Sequence, residues 1–161
     1  MKRSCRLYVF GLVLLSTTVH GQAPSQSLIE IVKAEDARAF GDTVNTLLSN
    51  SNPFQERAAL AAGRIGDDKA VSGLSHELEY NSSIAVRSVG AFALGEIESI
   101  KAAEVLLKVL ADTNTPDAVR ARAVEAAGKI AAANAKDPKA AELGKAILNT
   151  LETENARGDK Q

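Results

Sequence analysis

Tryptophan is absent from this chain of 161 residues, cysteine occurs once, histidine twice and proline four times. Aromatic residues make up 4% of the sequence, too few to build base-stacking platforms for nucleic acid. Lysine and arginine number 19 against 20 aspartates and glutamates, so no excess of positive charge offers a phosphate footprint. The lone cysteine, Cys5, and one histidine, His20, fall within the first 21 residues. Beyond them only His76 remains of these two residue types, which leaves no Cys/His nucleophile pair and no zinc set. A serine–histidine–acid site would have to use His76, and there is no G-x-S-x-G turn. The glycines stand singly, so no phosphate-cradling loop is present. Alternating β-type runs are missing too.

Residues 1–21 have the shape of a secretory signal. Lys2, Arg3 and Arg6 form a positive start, residues 7–15 an apolar run, and Val19-His20-Gly21 a small-residue cleavage site. The run is too short to span a bilayer comfortably. Cys5 precedes it, so it is not placed as the lipidated cysteine of a lipoprotein signal. Cleavage would remove three positive charges and take the formal net charge of −1 to about −4. A mature chain without cysteine carries no disulfide. These features predict an exported protein, periplasmic or secreted, with no membrane association after cleavage.

What the rest of the chain does contain is a repeat. Residues 54–65 (F-Q-E-R-A-A-L-A-A-G-R-I), 86–97 (V-R-S-V-G-A-F-A-L-G-E-I) and 119–130 (V-R-A-R-A-V-E-A-A-G-K-I) align without a gap. Their glycines, Gly63, Gly95 and Gly128, recur at about 32 to 33 residues, a solenoid-type period. Positions one, five, eight, nine and twelve are apolar or small, in the middle copy Val86, Gly90, Ala93, Leu94 and Ile97. At about 100° per residue these share one helix face. Positions two, six and ten flank it and are mostly small, which suits close approach of the next repeat. A glycine inside a helix costs about 1 kcal/mol against alanine. The repeated glycine either packs against a neighbour or ends its helix; the isoleucine two residues later favours packing.

These units resemble the short HEAT-like repeats associated with phycobilisome lyases, whose pattern is roughly V-R-x-x-A-A-x-A-L-G-x-I-G-D followed by A-V-x-x-L. Residues 58–67 (A-A-L-A-A-G-R-I-G-D) and 70–74 (A-V-S-G-L) follow it closely. Gln55, Gly90 and Ala127 depart from it. The resemblance covers about residues 36–150 and implies an all-α fold, an α-solenoid of stacked antiparallel helix pairs of the armadillo-like kind. The repeat serves many unrelated roles, so it does not by itself assign a function. Ankyrin and tetratricopeptide signatures are missing.

In chain order, residues 22–26 read as a linker, 27–152 as the repeat domain and 153–161 as a frayed polar tail. Ser27 to Glu30 has the form of a capping box, with Leu28, Ile31 and Val32 on one side of a short helix. Phe40, Val44, Leu47 and Leu48 predict a helix near 36–49, bent at Gly41-Asp42. Asn52-Pro53, Asn81 to Ser83 and Thr115-Pro116-Asp117 cap the three signature helices. The stripes Ala70, Val71, Leu74, Leu78 and Ala102, Ala103, Leu106, Leu110 mark the helices between them. Pro138 starts a last helix carrying Leu143, Ile147, Leu148 and Leu151. About seven main helices result, paired in sequence, with the terminal helices serving as caps.

Three sets of residues invite a chemical reading. Among HEAT-like proteins, deoxyhypusine hydroxylases hold metal through several His-Glu pairs on equivalent helices. Here the pair occurs once, as His76-Glu77, with Lys108-Val109 at the next equivalent positions, and reads as a surface pair. Arg87 and Arg120 share repeat position two; they form either a two-rung anion site or links to acids and carbonyls at the inter-repeat turns, Asp112 or Asp117 being in reach of Arg120. The latter is preferred, since repeat-locked charges hold register in solenoids. The third set is the stripe opposite the core: Glu56, Arg57, Leu60, Arg64; Ser88, Val89, Phe92, Glu96; Ala121, Arg122, Glu125, Lys129. In HEAT-like stacks the second helix of each pair lines the concave face. Leu60, Val89 and Phe92 would there form an apolar spot rimmed by Arg57, Arg64, Glu96, Arg122 and Lys129. Such a spot is either a binding surface or is covered by a neighbouring element.

The sequence thus predicts an exported, non-catalytic scaffold or adaptor that binds another protein through this concave face. It needs no cofactor and no metal, and binds neither nucleic acid nor membrane. The alternatives are an accessory subunit of a lyase or other modifying enzyme, and a structural envelope protein.

Overall fold

The computed structural model describes residues 25–158, which form eight α-helices and no strand. The expected signal segment, most of the linker and residues 159–161 lie outside the described residues. The helices are α1 (Gln26–Asp36), α2 (Asp42–Ser49), α3 (Gln55–Ile65), α4 (Val71–Tyr80), α5 (Ile84–Ile97), α6 (Ala103–Ala111), α7 (Asp117–Ala133) and α8 (Pro138–Gly158). Single 3-10 turns at Asp68–Ala70 and Ile100–Ala102 lead into α4 and α6. None of these helices is long and apolar enough to cross a membrane.

Local chemistry sets the helix ends. Ser83 caps α5 by accepting from Val86 N at 3.3 Å. Asp117 opens α7 behind Pro116, where its negative charge meets the positive end of the helix dipole. At position thirteen of the repeat, Gly66 closes α3 with a left-handed φ of 75°, the conformation glycine adopts at least cost. Glu98 occupies the same position after α5 and takes φ 57° without that freedom. Ala131 stands there in the third unit, and α7 runs on to Ala133.

Three expectations are corrected at the ends of the stack. The first helix is capped by Ser25 rather than Ser27: Ser25 Oγ accepts from Leu28 N at 3.4 Å. The helix expected over 36–49 is instead the end of α1 and the whole of α2, parted at a turn where Arg38 takes φ 47°. The polar tail expected after residue 152 continues α8 to Gly158. A Thr153 Oγ1 bond to Asn149 O at 2.8 Å and an Arg157–Glu154 pair at 2.9 Å help hold it.

The helices stack in two layers. One contains α2, α4 and α6; the other contains α1, α3, α5 and α7, with α8 closing over α6 and α7. Between them lie Leu48, Leu74, Leu78, Leu94, Leu106, Ile130 and Leu143, all withdrawn from solvent. Each such side chain contributes about 1.5–3 kcal/mol by leaving water. The helical phase read from the repeat holds: Val86, Gly90, Ala93 and Leu94 are buried and Ile97 is half-buried.

Glycine and alanine make the α3–α5–α7 layer tight. A Cβ built on Gly63 would lie 2.8 Å from Ala93 Cα, and one on Gly95 would lie 2.9 Å from Ala126 Cα. Both glycines sit inside their helices, so packing, not helix termination, is their role. Gly128 meets nothing within 4 Å, because no helix follows α7 in that layer. The α2–α4–α6 layer is joined far more sparsely. Spacing is thus tight among α3, α5 and α7 and loose among α2, α4 and α6; the faces of α3, α5 and α7 turned away from the other layer make up the inner surface.

Repeat position two supplies a staple between the layers. Gln55 Nε2 donates to Leu48 O at 2.8 Å, and Arg87 Nε donates to Leu78 O at 2.9 Å. Arg120 donates to Thr115 O, while Thr115 Oγ1 donates to Val109 O at 2.9 Å. Gln55, Arg87 and the Thr115 hydroxyl each satisfy a carbonyl in the last turn of the preceding helix, and Arg120 fixes the loop that carries Thr115. Arg120 also lies 3.3 Å from Asp117 and 3.4 Å from Glu154 on α8. Arg87 and Arg120 therefore bond carbonyls and acids, as the structural reading expected.

Candidate functional site

The inner surface is a grid. Three parallel helices each present positions three, four, seven and eleven, so equivalent residues form rows across the stack. Position four gives Arg57, Val89 and Arg122; position seven gives Leu60, Phe92 and Glu125; position eleven gives Arg64, Glu96 and Lys129. Phe92 is the centre of this grid.

Ion pairs tie the rows together at both ends. At one end Glu35 of α1 receives Arg57 Nη1 at 2.7 Å and contacts the second Arg57 Nη through its other oxygen. Arg64 approaches the same carboxylate at 3.3 Å. The Arg57 hydrogen bond holds the Glu35 carboxyl below the usual carboxylate range against the opposing effect of burial, and Arg64 adds to it. At the other end Lys129 Nζ reaches Glu96 at 2.6 Å and Glu125 at 2.9 Å, while Arg122 reaches Glu125 at 2.7 Å. Glu125 is lowered by its bonds to Lys129 and Arg122. Lys129 is raised by its bonds to Glu96 and Glu125.

Between these clusters lies the expected apolar spot, in altered form. Val89 packs against the core, and Leu60 and Phe92 are half-buried. Arg122 and Lys129 do not merely rim Phe92: their cationic groups stand 5.6 and 5.2 Å from its ring centroid, within cation–π range. Arg57 and Arg64 belong to the Glu35 cluster instead. Glu96 sits on the Lys129 side. Two acidic partners were not among the expected site residues. Glu35 lies outside the repeats, where no period points to it. Glu125 was legible at position seven.

His76 and Glu77 have different surroundings. His76 is two-thirds exposed and its Nδ1 is 3.2 Å from Glu77 Oε1. Glu77 is buried, with its other oxygen bonded to Gln55 Nε2 at 2.8 Å and Asn81 Nδ2 at 2.6 Å. These amide bonds occupy the carboxylate in holding α3 to α4. Among the described residues no three His, Cys, Asp or Glu side chains gather as a metal ligand set. The residues present do not fit a metal centre of the His-Glu kind.

Comparison with known proteins follows the fold. Residues 71–157 match the family described as HEAT repeats. Deoxyhypusine hydroxylase from Drosophila pseudoobscura pseudoobscura is 31% identical over 102 residues, covering 62% of this chain and 32% of that protein. The Drosophila melanogaster deoxyhypusine hydroxylase is 29% identical over the same length and the same shares. The chain spans about a third of the length of these curated relatives. They correct one expectation. The sequence reading took the chain to be non-catalytic, and its matched relatives are enzymes. That reading rested on finding one His-Glu pair, His76-Glu77, where the next equivalent positions hold Lys108 and Val109.

Proposed function

This chain belongs to the HEAT-repeat family, and from that premise we propose that it is a scaffold holding a protein partner on its inner surface, centred on Phe92. The observation that carries this reading is the half-buried Phe92 ring at the middle of a charge-ordered face, flanked by Leu60 and Val89. Aromatic residues with a polar surround are the commonest anchors of protein interfaces. Arg57 and Arg64 are pre-positioned by Glu35, Arg122 by Glu125, and Lys129 by Glu96 and Glu125, so little side-chain freedom is lost when a partner docks. With Glu35 and Glu125 counted, four cations face three acids, which suits a partner with mixed charge rather than a nucleic acid.

A second reading has specific support. The relatives take their name from hydroxylating deoxyhypusine, and the repeat resembles that of lyase-associated proteins. In this reading the same face serves a modifying enzyme by presenting the molecule to be modified. Export is part of the proposal as well, supported by the charged start, apolar run and Val19-His20-Gly21 of the first 21 residues.

Phe92→Ser tests the binding face. We expect a melting temperature within a few degrees of the parent and loss of whatever protein the parent retains from envelope extract. A collapse of the melting temperature would make Phe92 a core residue and remove the assignment. The identity of the retained protein separates the two readings: an enzyme or its substrate supports the second. N-terminal sequencing of the exported form is expected to begin near Gln22; intact residues 1–21 in a soluble cytoplasmic fraction would overturn export.

A further inference from the structure

We propose that α8 pairs, antiparallel and about a two-fold axis, with the α8 of a second copy of this chain. The helix has two apolar faces. One turns inward: Ala140 and Leu143 are buried, and Ala146 and Ile147 pack on the core. The other turns to solvent, with Leu148 60% and Leu151 54% exposed and Ala141 open beside them. Gly144 lies on this outer face with nothing within 4 Å of the place a Cβ would occupy. Ala141, Gly144, Leu148 and Leu151 recur at alternating spacings of three and four, the seam pattern of paired helices. Within the molecule, Gly63 and Gly95 each receive an alanine of the neighbouring helix. Gly144 offers the same kind of hollow, and among the described residues nothing fills it.

Charge selects the occupant. Glu154 is engaged by Arg120 and Arg157, whereas Lys145 and Glu152 are exposed and unpaired among the described residues. Seven residues apart, they lie on the same flank of the outer stripe, with Gly144 and Leu151 on the opposite flank. A two-fold axis beside Leu148 sets that leucine against the partner's Leu148. It brings Lys145 next to the partner's Glu152 on one flank and Leu151 over the partner's Gly144 on the other. Each pair is level to within about one residue, about 1.5 Å along the helix. The axis repeats both contacts, as an isologous interface requires. A parallel pairing would instead set the Lys145–Glu152 flank against the partner's Gly144–Leu151 flank and leave both charges without a partner.

Sedimentation equilibrium of the full chain, from about 1 to about 500 µM, covers the range expected of a small interface. We expect a dimer mass at the upper end, and a monomer for Leu148→Glu with an unchanged helical circular dichroism spectrum. Lys145→Glu and Glu152→Lys are each expected to weaken the dimer about tenfold or more, and the two together to restore it. A monomer at every concentration overturns the proposal. So does a dimer indifferent to Leu148→Glu, which would put the contact elsewhere, or charge reversals whose effects simply add.

Discussion

Gly63 and Ala93 stand so close that a Cβ on residue 63 would come within 2.8 Å of the Ala93 Cα. The obstacle is backbone, which cannot swing aside as a long side chain could. Gly95 repeats the relationship with Ala126, at 2.9 Å. Gly63→Ala and Gly95→Ala are therefore expected to destabilise the fold by about 1–3 kcal/mol, the usual cost of overpacking. Gly128→Ala meets open space and should stabilise α7 by up to about 1 kcal/mol through helix propensity. Urea denaturation of the three variants checks both signs.

Leu94 is fully buried in the last turn of α5. Leu94→Ala removes it from the core and should cost about 2–5 kcal/mol, read from the urea midpoint with the slope unchanged. A loss below about 0.5 kcal/mol would contradict its place in the core.

The Glu35 carboxyl ties α1 to α3 through Arg57, and its pKa is depressed chiefly by that hydrogen bond. A group depressed in the folded state contributes stability that is fully present above its unfolded pKa, about 4.3 for glutamate, and is lost as pH falls through the lower folded value. Glu35→Gln should therefore lower stability at pH 7 and flatten the loss between neutrality and strong acid. Denaturation midpoints at a series of pH values, parent against variant, test the prediction; parallel curves would contradict it.

Gln55 is buried and bonds Leu48 O, Glu77 and Asn81 at once. Gln55→Met keeps its bulk and strands those groups. A buried polar group left without its partner costs about 1–3 kcal/mol, so this variant should melt several degrees lower. Adding Glu77→Gln should recover part of the loss, since the stranded charge is then gone.

The repeat made much of this structure readable. A fixed period carried the helix phase, the layer order and the position-two staples, because each copy faces the same neighbours. Legibility failed where the period ends. Arg38 turns the chain between α1 and α2, and Glu35 pairs with Arg57, in a region with no second copy for comparison. Leu143, Ile147, Leu148 and Leu151 read as one apolar set, yet the first two face the core and the last two face solvent. Spacings of three and four suit either face of a helix, and only the position of α6 and α7 decides between them. On the inner surface the row of Leu60, Phe92 and Glu125 was legible as a stripe. Arg122 and Lys129 were legible as its rim, but not their seating over the Phe92 ring, because they reach it from the next repeat.

The unequal joining of the two layers gives the molecule the mechanics of a bound book. The glycine–alanine contacts form an inextensible spine along α3, α5 and α7, while α2, α4 and α6 fan out like page edges. Bending strain is then taken up almost wholly by the outer helices. Any such bending would leave Leu60, Phe92 and Glu125 at their present separations.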